Sequence, residues 1–245
     1  MKSRRLLIGC GVLAALIGLL TLVPARVGYH AFLKAHVPVA GIEGTIWHGT
    51  AAEASIDGIY LRDIEWRMRP LAIFTGKLSY AVSASSVSGV VESQVVIGAS
   101  GDIKLSQVTA AVPLYPFAGS LGLPGLSGVA QLRLARLDIT NGLATAADGT
   151  LDLVNLVIPR LGRESLGSYT AEFHTQNNGI SASVEDSDGV IDLAGSLQVN
   201  NDRSYEFIAQ LIVIPNTPQS LRQQLKFLPP PNERGQQEIR LEGIL

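Results

Sequence analysis

The chain has 245 residues, 47% of them hydrophobic and 16% charged. That leaves room for one large domain or two small ones and excludes a disordered chain. Nineteen Lys and Arg stand against 21 Asp and Glu, for a net charge of −2, which argues against a basic nucleic-acid-binding surface.

The positive charge is uneven. Lys2, Arg4, Arg5 and Arg26 flank the first apolar run, and residues 27–245 hold 15 basic and 21 acidic groups. Between these flanks, residues 6–23 read LLIGCGVLAALIGLLTLV, without a charge. A helix over this run is about 27 Å long, close to the hydrocarbon thickness of a bilayer. A cleaved signal peptide is the rival, but its apolar stretch is only about 7–15 residues. The run is therefore expected to be an uncleaved transmembrane helix, with residues 1–5 in the cytoplasm by the positive-inside tendency. Cys10 is the only cysteine, so the remainder has no thiol to form a disulfide. Residues 24–40, bounded by Pro24 and Pro38, are expected to be a membrane-proximal linker or short helix.

From residue 41 the punctuation changes. Asp57-Gly58, Asn141-Gly142, Asp148-Gly149, Asn178-Gly179 and Asp188-Gly189 are pairs that tolerate positive φ at a two-residue turn. Between them the chain alternates: Ile191, Leu193, Leu197 and Val199 share one strand face, Asp192, Ser196 and Gln198 the other. Residues 205–213 alternate too, but Ile208 and Ile212 make that strand apolar on both faces. Leu132 and Leu134 give way to Leu137 and Ile139, and Leu151 and Leu153 to Leu156 and Ile158, changes of phase that a β-bulge would produce. The count is ten to twelve strands in residues 41–245. The expected fold is mainly β: an elongated, curved antiparallel sheet built from hairpins. Only Pro218–Phe227 suggests a helical stripe.

Chemistry-bearing patterns are sparse. His30, His36, His48 and His174 have no zinc-ligand spacing, and Gly119-Ser120 and Gly167-Ser168 lack the second half of a nucleophile elbow. The glycine-rich stretch 119–125 lacks a phosphate-binding Lys-Ser/Thr. Asp186-Ser187-Asp188-Gly189 lacks the Glu of a calcium loop and reads as a turn. Asp63 and Glu65, two apart, would share one strand side, as a solvated edge beside Arg62, Arg67 and Arg69. No catalytic residue, cofactor or metal is expected.

The most distinctive stretch is Gly41-Ile-Glu-Gly44-Thr-Ile-Trp47-His-Gly49, followed by Ile64-Glu-Trp66-Arg-Met-Arg-Pro70-Leu and Gly76-Lys-Leu. With the preceding run and Pro24-Ala25-Arg26, it resembles the type II secretion system protein N family. Leu123-Pro-Gly125-Leu-Ser-Gly128 resembles the family's middle, and Ile239-Arg-Leu-Glu-Gly243 its ending. The resemblance implies a single-pass accessory component of a bacterial inner membrane with a periplasmic domain at 41–245. Its partners would be other inner-membrane and periplasmic secretion components, with lipid contacted through the anchor. From their residue types, Gly41, Gly44 and Gly49 are expected at a bulge or close approach, and Trp47 and Trp66 in the core or at the sheet's end. An alternative is an envelope protein whose apolar β groove binds lipid, as in proteins resembling the AsmA family.

Overall fold

The computed structural model describes residues 22–32, 37–70, 72, 76–98 and 100–244. The expected anchor at 6–23 therefore lies outside the described residues except for Leu22 and Val23, and no helix among the described residues is long and apolar enough to cross a membrane.

The chain beyond the run is one antiparallel sheet. A short helix, α1 (Ala25–Phe32), precedes two edge pieces, β1 (Val39–Ala40) and β2 (Glu43–Gly44). A continuous meander follows: β3 (His48–Ile56), β4 (Ile59–Met68), β5 (Leu78–Ser86), β6 (Gly89–Ile97), β7 (Ile103–Pro113), β8 (Ser127–Thr140) and β9 (Leu143–Val157). It continues through β10 (Tyr169–Gln176), β11 (Gly179–Asp186), β12 (Ile191–Asn200) and β13 (Ser204–Val213), then a helix, α2 (Gln219–Leu225), and β14 (Gln237–Ile244). From β3 to β14 each strand pairs with the next in sequence, and β1 and β2 both lie along the free side of β3. The sheet stays open, because β1 and β14 are not paired with one another.

Thirteen strands, β2 to β14, are described from residue 41 onward where ten to twelve were expected; β2 is a two-residue piece, too short to show a period. Helix α2 falls within the one stretch that suggested a helical stripe.

The turns form where positive φ is cheap. Asp57 and Gly58 have φ 48° and 83°, Asn141 and Gly142 φ 52° and 77°, both residues left-handed as a type I′ hairpin turn requires. Asp148-Gly149 departs from expectation, because it lies inside β9 and not at a turn. The β8–β9 register shifts opposite it, between Leu134 and Arg136, so the pair serves a bulge. Gly149, at φ 137°, passes so close to the Arg133 carbonyl that a side chain has no room.

Bulges explain the changes of phase. Asp63, Gln107 and Asn155 are non-glycine residues with φ of 51°, 52° and 52°. Each sits at or beside a register shift: Arg62/Glu65 in β4–β5, Glu92/Gln94 in β6–β7, and Ser127/Val129 in β8–β9. The extra residue flips the alternation, so Ile103 and Leu105 before Gln107 and Val108, Ala110 and Val112 after it stay on one side. A consequence is that Asp63, lying in the bulge, does not share a strand side with Glu65 as strict alternation predicted.

Three buried clusters hold the sheet. Two form where the connections 114–126, 158–168 and 214–236 fold back at the strand ends opposite α1. One gathers Val112, Leu114, Leu126 and Ala130, with Ile59 of β4 packed against it. The other gathers Leu166, Tyr169, Ile191, Leu211, Leu221 and Leu225. The third joins Ala25 of α1 to Ile42 and Ala51. The first cluster shows that the sheet curls: Gly58, in the β3–β4 turn, lies against Pro116, although three strands separate β4 from β7's outer side.

Asn155 tests the bulge reading. Asn155→Val places a β-branched side chain in the left-handed region and is expected to cost about 1–2 kcal/mol, whereas Asn155→Gly retains stability. Urea unfolding checks both, and equal midpoints for the two variants would contradict the assignment.

Candidate functional site

The signature glycines and tryptophans converge on the corner where the N-terminal run enters the sheet. The Val23 carbonyl accepts a hydrogen bond from Ile46 N at 3.1 Å, and Pro24 forms an isolated bridge with Thr45. Arg26 Nε donates to the Ile42 carbonyl at 3.0 Å, and the Tyr29 hydroxyl donates to the Val37 carbonyl at 3.1 Å. The chain leaving the run is thus pinned to β2 and the β2–β3 turn within a few residues.

The glycines permit that corner. Gly41 and Gly44 have φ 66° and 83°, and a Cβ on Gly44 would lie 2.6 Å from the His48 carbonyl oxygen. Gly49 pairs directly with Trp66, and a Cβ on it would meet Trp66 Cζ2 at 2.5 Å. Only a glycine lets the indole lie there. Trp66 Nε1 donates to the Thr45 carbonyl at 3.1 Å, and its ring packs against the Ala25, Ile42 and Ala51 cluster. Trp47 joins through its backbone, donating to Thr45 Oγ1 at 3.3 Å and accepting from Met68 N at 2.6 Å. Pro70 is the exception: it lies exposed just past β4, away from the glycines.

Beyond the corner the sheet has two chemically distinct faces. Directly paired residues of an antiparallel ladder share a face. Tyr80, Val95, Leu105, Leu137 and Ala147 form one unbroken row across β5–β9. Phe173, Ala182, Leu197, Phe207 and Leu241 form another across β10–β14. Neither row contains a charged residue. Their large side chains are mostly half-buried and belong to none of the three clusters. Sequence reasoning looked for a groove in the strand that is apolar on both faces; the register shows instead that one face is apolar nearly throughout.

The opposite face carries the polar groups. Asp138, 7% exposed, accepts from Arg136 Nη2 at 2.6 Å and Nε at 3.1 Å, with Lys104 Nζ at 3.5 Å. The Arg136 hydrogen bond holds its carboxyl below the ordinary value against the opposing effect of burial. Asp148 takes over where the β9–β10 ladder ends at Gly149–Phe173. Its oxygens accept from Thr175 N at 2.8 Å and Thr175 Oγ1 at 2.9 Å, bonds that lower its pKa. These two carboxylates escaped the sequence analysis as a site; the Asp148-Gly149 pair was the one signal, and it suggested a turn. Both are structural fasteners of the ladder.

The remaining titratable groups stay dispersed. His174 faces Glu172 at 3.5 Å on the exposed surface, and Asp186, from the acidic turn, accepts from Leu193 N at 2.9 Å. Among the described residues no three His, Cys, Asp or Glu side chains are grouped to hold a metal ion.

The architecture defines a mainly β protein built on one large open antiparallel sheet. Residues 35–240 match the family described as type II secretion system (T2SS), protein N, and the chain belongs to that family. It is also 27% identical over 237 residues to the type II secretion system protein N of Vibrio cholerae serotype O1, with 91% of each chain covered. No solved structure matches it.

The depressed carboxylates make a pH prediction. A folded pKa below the unfolded value contributes stability at pH above the unfolded value, near 4, and loses it as pH falls through the folded value. Asp148→Asn is expected to lower the urea midpoint at about pH 6 and to flatten its decline toward about pH 3. A decline as steep as the parent's would contradict the role given to Asp148.

Proposed function

We propose that the chain is a non-catalytic, accessory inner-membrane component of the type II secretion system that acts as a scaffold or interaction subunit. Residues 6–23 hold it in the membrane, residues 1–5 lie in the cytoplasm, and the sheet stands in the periplasm. The family match over nearly the whole sheet carries the secretion assignment. The pinned corner at Val23–Ile46 supports the scaffold role, because a sheet tied to its anchor through backbone hydrogen bonds holds its surfaces at a fixed place relative to the membrane. Partners are other inner-membrane and periplasmic secretion components, met through sheet faces or edges.

A second reading, lipid held in an apolar groove, is favoured by the two uncharged rows on one face of the sheet. It differs from the scaffold reading in its ligand and is compatible with the same anchoring.

Crosslinking the full chain in its native envelope and purifying it tests the scaffold reading. Retention of secretion subunits, with a mature N-terminus at or next to Met1, is the expected result. Recovery without any secretion subunit would overturn the role. A mature N-terminus near Arg26 would overturn the anchor.

A further inference from the structure

We infer that the apolar face is a path for phospholipid acyl chains, entered from the membrane at the corner where the N-terminal run joins the sheet; this rests on the lipid reading above.

The chemistry of the face selects the occupant. A sheet's backbone N–H and C=O groups are spent in its ladders, so the face offers none to a ligand. An extended peptide laid there would bury its own amides without partners, at a cost of about 1–3 kcal/mol per group. Methylene chains have no such groups to lose. They gain about 25 cal/mol for each Å² of apolar surface removed from water. The rows through Leu105 and Leu197 present aliphatic and aromatic carbon without a charged side chain.

Position selects the source of the chains. The apolar run at 6–23 ends at Val23, which is bonded to Ile46, and the α1 cluster covers only the β1–β4 end of the face. The first row without such a cover starts at Tyr80 on β5, the strand next to β4. From β5 to β13 the sheet takes eight inter-strand steps, about 40 Å at about 4.8 Å each. That exceeds the roughly 30 Å hydrocarbon core of a bilayer. On the far rim the connections 114–126, 158–168 and 214–236 wall the path with buried clusters.

The experiment uses the full chain reconstituted in phosphatidylethanolamine–phosphatidylglycerol vesicles, with a photoreactive residue at Tyr80, at Phe207, or at Gln198 on the polar face. Lipid adducts through acyl carbons are expected at Tyr80 and Phe207 and not at Gln198. Leu137→Glu, within the first row and between Tyr80 and Phe207 along the sheet, is expected to keep the Tyr80 adduct and cut the Phe207 adduct about tenfold, since a charge now interrupts the apolar path. Absence of lipid adducts at both sites overturns the path and the lipid reading together, as does an adduct to a second copy of the chain in place of lipid. Adducts at Phe207 that Leu137→Glu leaves unchanged overturn entry at the corner and leave lipid binding standing.

Discussion

A β-strand repeats every two residues, and in a meander of paired strands that period ties every side chain to one face or the other. A slip of one residue would exchange the faces of a strand and carry its apolar groups to the charged side. Long strands such as β8 and β9 also have to bend as the sheet curls, and bending in this protein comes with an extra residue. The arrangement therefore depends on bulges matched by changes of phase in the hydrophobic pattern. At Gln107 the match is visible: the bulge moves the apolar positions of β7 from odd to even numbers, and β8 changes phase beside it. Gln107 is further tied to the Gln94 side chain across the strand pair.

The energetic design follows from having no second sheet. No large side chain among the described residues falls below 2% exposure, and the buried residues are rich in alanine. Cohesion comes from cross-strand pairs, each worth about 0.2–1 kcal/mol, and from three local clusters at the strand ends. Polar fasteners such as Asp148 with Thr175 close the ladder where a bulge interrupts it. Among the described residues one polar side-chain group is left over: Ser93 Oγ is buried without a partner. It lies opposite the Gln107 bulge, where the register skips.

Much of the fold was legible in the sequence because the signals were local. Alternation in 191–199, the turn pairs Asp57-Gly58 and Asn141-Gly142, and the phase changes near Leu134 and Leu153 each involve only neighbours along the chain. The Asp148-Gly149 pair was misread, since a dipeptide that tolerates positive φ serves a bulge as well as a turn and only the partner strand decides between them. The apolar face was less legible. Its continuity is a property of eight registers taken together, and one strand shows only its own side. Gly49 illustrates the middle ground: glycine predicted a close approach, but the identity of the approaching group, the Trp66 ring, depends on pairing across a hairpin.

The corner at Val23–Ile46 and the apolar face are the two features on which the proposed roles rest, and the second depends on the bulges keeping the two faces separate. With Cys10 the only native thiol, a Cys10→Ser background carrying single cysteines through residues 103–111 of β7 reads the faces one position at a time. The account predicts that a membrane-impermeant thiol reagent labels positions 104, 106, 109 and 111 quickly and 103, 105, 108 and 110 slowly, with the alternation reversing at Gln107. Alternation that runs through residue 107 without reversing, or uniform labelling on both sides, would contradict it.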